Sequence, residues 1–322
     1  MKKLILRLFW ILLLAALLYF ALREAPLAEI WASIQQLQFW QVGLILSINT
    51  IFYMLATARW WIIVEAENKH VAYWPLLAIR VAVFGVSYFT LGPQVGGEAL
   101  QILVLRQRYH LSYTHATAAV LMDKLLEFMV AFFLIAIGLT AMLKSGVLIE
   151  NGAEFAGSLV LLFILIAWPP IHLYLLYKGR YPLTALVRAI PFVRSTAKPL
   201  RFLRASEHLA SKFCQRHPRR LLTASSLSLL AGAGMLLDYA VMAMFVGIQL
   251  PFWKTIAGWM SGWMSLLMPL PGGLGAFEAS QVFALGKFGY SAAVALSLAL
   301  LIRGRDIFIG GIGILFAGRG VK

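Results

Sequence analysis

Thirteen carboxylates occur in this chain, and six of them (Glu98, Asp123, Glu127, Asp238, Glu278 and Asp306) fall within or beside apolar segments. At the centre of a membrane-embedded helix an acidic side chain costs roughly 2.5–3.5 kcal/mol, so such groups are either paired or used to handle ions, protons or ligands. Cations stand close by in sequence. Lys124 follows Asp123, Arg303 and Arg305 interrupt the last apolar stretch beside Asp306, and Arg59 and Arg80 lie nearer the ends expected to face the cytoplasm. Asp123 and Glu127 are four residues apart and share one helix face, with Lys124 about 100° round the same helix. Charges in this pattern either pin helices together or line a polar cavity that receives a charged headgroup. Six acids and several bases exceed what helix registration needs, which favours the cavity.

Two glycine motifs accompany these charges: Gly92-Pro93-Gln94-Val95-Gly96-Gly97-Glu98-Ala99 and Pro269-Leu270-Pro271-Gly272-Gly273-Leu274-Gly275-Ala276-Phe277-Glu278. Their flanks are apolar enough to lie in hydrocarbon, where broken backbone survives only if packed in protein or lining a polar cavity. A short helix starting after such a break presents free N–H groups and the positive end of its dipole, which suits an anion such as a phosphate. Glycine also admits a close backbone approach. Glu98 and Glu278 could instead cap those helices. The candidate substrate-binding set is therefore Gly96, Gly97, Glu98, Asp123, Lys124, Glu127, Gly272, Gly273, Gly275, Glu278, Arg303 and Arg305, with no catalytic residue, metal ligand or cofactor among them.

The elements that must hold these groups are helices in a membrane. Hydrophobic residues make up 61% of the 322, and charged residues only 13%, about half the share of a soluble domain. Runs of about 20 apolar residues cross a bilayer core, and hydropathy places such runs near 4–22, 40–62, 116–143, 156–177, 221–248 and 290–317. The first is too long for a signal-peptide core and has no cleavage-site pattern after it, so it reads as a retained span. The regions 75–105 and 252–288 contain the glycine breaks and are predicted to form two short helices each. Lysine and arginine placement puts both termini, Arg106, Arg108 and the segment 178–220 in the cytoplasm. The expectation is an all-α polytopic membrane protein, one domain over 1–322, with about six full spans and two re-entrant hairpins entered from opposite faces. Blocks 40–143 and 221–317 then form an inverted repeat, whose interface is where substrates bind.

Residues 178–220 hold eleven Lys or Arg against one acid, Glu207, which is assigned to a loop. No nucleic-acid motif accompanies them, so the charge reads as a cytoplasmic amphipathic segment resting on anionic lipid. A helix from Pro199 would turn Phe202, Leu203, Ser206, Leu209, Ala210 and Phe213 to one side. The single cysteine, Cys214, excludes an intrachain disulfide.

At Gly96-Gly97-Glu98-Ala99, at Thr117–Leu126 around Asp123-Lys124, and at Pro271–Glu278 followed by Arg303–Asp306, the chain resembles the lysylphosphatidylglycerol synthase transmembrane-region family, also called flippase-like proteins. The resemblance covers nearly the whole chain and is most specific at the second glycine motif. Where the family often has Asp-Arg, this chain has Asp123-Lys124, which keeps a cation and loses its planar fork. The resemblance implies lipid handling, without the separate soluble domain that performs aminoacyl transfer in the synthases.

Together these readings predict a bacterial inner-membrane transporter or flippase for an anionic phospholipid or a polyprenyl-phosphate-linked lipid. No nucleotide-binding G-x-x-x-x-G-K-[ST] motif is present, so an ion gradient, a partner or the lipid gradient would drive it. The alternative is an integral-membrane hydrolase or glycosyltransferase acting on a lipid phosphate. A third reading is a scaffold for a separately encoded lipid-modifying enzyme, and a homo-oligomer stays open.

Overall fold

Lengths and apolarity of the helices decide the architecture. The structure, a computed structural model, describes Gln35 and residues 37–67, 71–89, 97–144, 152–189, 198–266 and 273–320. The expected first span, Gly96 and Gly272 lie outside the described residues. Among the described residues there are eleven helices and no strand. They are α1 (Phe39–Glu67), α2 (Tyr73–Phe89), α3 (Gly97–Tyr109), α4 (Tyr113–Lys144), α5 (Gly152–Tyr177), α6 (Pro182–Arg188), α7 (Lys198–Arg216), α8 (Pro218–Phe245), α9 (Phe252–Ser265), α10 (Ala276–Lys287) and α11 (Ala292–Gly320). Five of the expected apolar runs become the long helices α1, α4, α5, α8 and α11. Each glycine-broken region becomes two short helices, α2 with α3 and α9 with α10.

Helices α1 and α8 are long and apolar enough to cross a membrane. At 29 residues, α1 spans roughly 43 Å at 1.5 Å per residue. Helix α8 begins with Pro218 in its first turn, where a missing N–H costs nothing. Its end is set by Gly247 at φ +82°, which lets the Ile248 N–H reach back to the Ala243 carbonyl at 2.8 Å. The two helices run antiparallel in close contact. Arg220 pairs with Glu65 at 3.3 Å, Arg59 donates to Ser228 at 3.4 Å, and Trp40 stacks edge-on against Phe245 at the far end.

Helix α2 packs along α11, and α9 packs along α4, so the first helix of each hairpin leans on the last long helix of the other block. Helices α3 and α10 lie against α4 and α11 respectively, the long helices that follow them. The α2–α11 contact is close because Gly85 faces Gly310 and Gly313, and a Cβ on Gly313 would run into the backbone of Val81. Small residues at such a crossing let two helix backbones approach. Two apolar clusters complete the interior. One gathers Ile256, Leu285 and Leu298 around α9–α11, and the other Trp60, Leu76 and Leu126 around α1–α4. Outward-facing side chains are also apolar: Ile51 on α1, Phe163 on α5, Leu222 and Leu237 on α8, and Leu315 on α11 are exposed. An apolar outside around buried charges is the arrangement a bilayer demands.

The basic segment folds differently from the expectation. Helix α7 does form, but Ser206, Ala210 and Phe213 of its stripe are buried against protein, where α7 meets α4 and α5. Glu207 is in no loop: it lies on α7, fully buried, and accepts the N–H groups of Leu183 and Thr184 at 2.8 and 2.7 Å. Those are orphan donors at the start of α6, and an acid there is stabilising. Arg201, Arg204 and Arg216 remain exposed.

Candidate functional site

Three charged groups occupy the interior, each assembled from residues far apart in sequence. In the first, Asp123 and Glu127 project from one face of α4, as their spacing requires. Asp123 accepts Arg59 Nε of α1 at 2.6 Å and Arg80 Nη1 of α2 at 2.5 Å. Glu127 takes the other arms of the same guanidinium groups at 3.1 and 3.2 Å. Two arginines thus clamp two carboxylates, and planar forks suit that geometry. Lys124 points elsewhere, to Glu98 at the start of α3 at 3.4 Å and to Glu127 at 3.3 Å. Three cations therefore meet three carboxylates.

Glu278 and Arg303 form the second group. Helix α10 starts after Gly275, whose φ of +78° turns the chain into the helix. Glu278 in its first turn accepts the Gly275 N–H at 2.9 Å, and so caps the helix. The same carboxylate holds Arg303 of α11 through Nε and Nη2. Arg303 also donates to the Gly273 carbonyl at 3.0 Å and to the Tyr88 hydroxyl of α2 at 3.3 Å. Cap and ion pair are both present, and Arg303 ties the second glycine turn to α2.

Asp238, Arg305 and Asp306 form the third group. Arg305 Nη1 donates to Asp238 Oδ2, while its Nε and Nη2 donate to Asp306 Oδ1 at 3.0 and 2.7 Å. One cation against two carboxylates leaves a formal charge of −1.

A cavity connects the first and third groups. It holds about 200 Å³ of space open to water and is bounded by α1, α2, α3, α4, α8, α9, α10 and α11. Of the residues singled out from sequence, Gly97, Glu98, Lys124, Glu127 and Arg305 line it. Asp123 lies behind that wall, fully buried beneath Arg59 and Arg80. Gly273, Gly275, Glu278 and Arg303 are not among the lining residues, although Phe277 is. The cavity thus takes polar groups from the first glycine helix and only the apolar Phe277 from the second.

Several lining groups were not in the set drawn from sequence: Asn49 and Tyr53 of α1, Gln101 of α3, Ser228 and Asp238 of α8, Asp306 of α11, and the Arg59 and Arg80 side chains. Their signal was weak but present. Asn49 is a lone amide in the run Leu44–Phe52, and Asp238 and Asp306 are acids in apolar surroundings. Arg59 and Arg80 read as end-of-helix cations, yet they are the direct partners of Asp123 and Glu127.

An all-helical membrane protein with an apolar outside and a charged cavity inside is the class this arrangement defines. The chain belongs to the family described as the lysylphosphatidylglycerol synthase TM region, whose match extends over residues 6–313. That is a membrane-protein family linked to lipid handling. No match was found among curated proteins or among solved structures.

Proposed function

We propose that this chain is a multi-pass transporter of the bacterial inner membrane that carries an anionic lipid headgroup through the central cavity. The observation that carries the reading is the cavity itself: cations and acids from α1, α3, α4 and α11 face open space inside a bundle with an apolar exterior. Lys124 and Arg305 offer positive charge to a lipid phosphate, and Trp259, Trp263 and Phe277 give an apolar wall for its glycerol or chain region.

The inverted repeat belongs to the same proposal. Its support is the exchange of partners, α2 on α11 and α9 on α4. A second support is chemical. Glu98–Lys124 and Glu278–Arg303 each join the second hairpin helix to the long helix after it, while Arg59–Asp123 and Asp238–Arg305 each join the outer two long helices with charges reversed. At 17 and 14 residues, α2 and α9 reach roughly 25 and 21 Å, short of a bilayer core of about 30 Å. Short helices of this kind suit hairpins that enter and return.

Reconstitution tests the reading. Full-length protein in liposomes should move a phosphate-bearing lipid between leaflets, with the lipid recovered chemically unchanged. Lys124→Ala removes one charge-assisted contact of about 1.5–3 kcal/mol, so transport should fall about tenfold or more. Lipid turnover in place of movement would replace this reading with the membrane-enzyme one.

A further inference from the structure

Two buried oxygens on the cavity wall have no hydrogen-bond partner among the described residues: Asn49 Oδ1 and Asp238 Oδ1. Their residues are 8% and 3% exposed, and both line the cavity. Three contacts fix the α1–α8 register: Glu65 with Arg220, Arg59 with Ser228 and Trp40 with Phe245. By that antiparallel register Asn49 lies level with the Asp238 region of α8. Two acceptors at one level, both lacking a donor, are costly when buried. A proton on Asp238 Oδ1 gives that oxygen a hydrogen to donate, and the Asn49 carbonyl at the same level is an acceptor without one. The negative charge left over beside them, with one guanidinium serving Asp238 and Asp306, calls for the same remedy.

We propose that Asp238 is a proton-binding site whose carboxyl takes up one proton at Oδ1 and shares it with the Asn49 carbonyl, so that proton occupancy sets the charge of the cavity. A hydronium ion in the cavity gives its proton to Oδ1 and leaves as water, and no covalent bond of the protein breaks. Arg305 then faces one ionised carboxylate instead of two. Its group passes from −1 to neutral, and the guanidinium arm that held Asp238 becomes available to an anion. Proton and anionic headgroup thereby bind together, which is a coupling free energy between two sites.

Among the described residues, few charged or titratable groups surround Asp238. Tyr239 follows it on α8 and donates to Gln281, and Arg80 of α2 lines the cavity while held by Asp123 and Glu127. Helix α11 contributes Arg305 and Asp306, and α1 contributes Tyr53 with Arg59 further along. Helix α4 contributes Lys124 and Glu127 across the cavity. Helix α9 presents Trp259 and Trp263, which do not titrate, and α7 joins α8 at its opposite end through His217. Lys124, Arg59 and Glu127 already satisfy one another or Asp123 and Glu98. Among the described residues lining the cavity, Asp238 and Asp306 share the one cation left, Arg305, and of these two Asp238 is the more deeply buried.

This inference uses the cavity reading for its consequence, while its test needs no transport. Infrared difference spectra of the full chain in lipid nanodiscs, recorded between high and low pH, report the C=O stretch of a protonated carboxyl. Expected are a band that grows as pH falls and shifts in deuterium oxide, its loss in Asp238→Asn, its retention in Glu98→Gln, and a displaced band in Asn49→Leu. A band that survives Asp238→Asn, or one unmoved in Asn49→Leu, overturns the proposal. So does a spectrum that responds to sodium at fixed pH and not to pH. If Asp238→Asn does not fold, the Asn49→Leu spectrum decides alone. An intact band with no lipid movement would remove the transporter reading and leave the proton site. Lipid movement without the band would do the reverse.

Discussion

Asp123 on α4 and Arg59 on α1 meet at 2.6 Å with 0% and 3% of their side chains exposed. The pair joins residues 64 positions apart and has Arg80 and Glu127 closing around it, so the charges are satisfied wholly by protein. Removing one partner of a buried pair costs about 3–5 kcal/mol because the other is left uncompensated. Asp123→Asn should therefore lower the thermal midpoint of the protein in detergent, with a loss of about that size. The combined Asp123→Asn and Arg59→Met change should recover part of it, and a double-variant loss equal to the sum of the two single losses would show that the pair is not coupled.

Glu278→Gln has a different expectation from the one its place in the glycine motif suggests. The residue does not line the cavity, and its carboxylate both caps α10 and neutralises Arg303. Glutamine can still accept the Gly275 N–H, but it leaves the buried Arg303 guanidinium without a carboxylate to offset its charge. A stability loss of roughly 3 kcal/mol or more should follow, read as a lower unfolding temperature. Lipid movement by protein that does fold should persist. Normal stability with abolished movement would make Glu278 a transport residue.

Close packing of α2 on α11 carries its own control. A Cβ on Gly313 would meet the backbone carbonyl carbon of Val81 at 3.0 Å and Gly85 Cα at 3.2 Å, whereas Gly311 has open space. Gly313→Val should force the helices apart and reduce stability by about 1–3 kcal/mol, as overpacking does. Gly311→Ala should be neutral or slightly stabilising, since alanine is the better helix former by about 1 kcal/mol. The two variants are compared by thermal unfolding. Equal behaviour would mean that the α2–α11 contact is looser than described.

Cys214 should be silent in the native protein. It is fully buried on α7, and burial pushes its thiol up to about 12, so the reactive thiolate is nearly absent at neutral pH. Maleimide labelling should proceed only after denaturation in detergent, and fast native labelling would contradict the α7 packing. Cysteines introduced for topology mapping can then be read against this background without removing Cys214.

Much of this architecture follows from local pattern. Apolar runs of the right length become α1, α4, α5, α8 and α11, because only a helix satisfies its own backbone in hydrocarbon. The glycine and proline clusters separate α2 from α3 and α9 from α10, because such residues cannot continue a helix cheaply. The i, i+4 spacing alone puts Asp123 and Glu127 on one face. Partner choice is another matter, since it depends on which helices become neighbours and how each is rotated. Sequence adjacency suggests Lys124 as counter-charge to Asp123, yet rotation carries it toward Glu98 and delivers Arg59 and Arg80 in its place. The two glycine motifs look equivalent, but the packing of α10 turns Glu278 into Arg303 while α3 leaves Glu98 on the cavity wall. Asn49 is an ordinary amide until the α1–α8 register sets it level with Asp238. Helix periodicity specifies a face, and only the packed bundle specifies what that face meets.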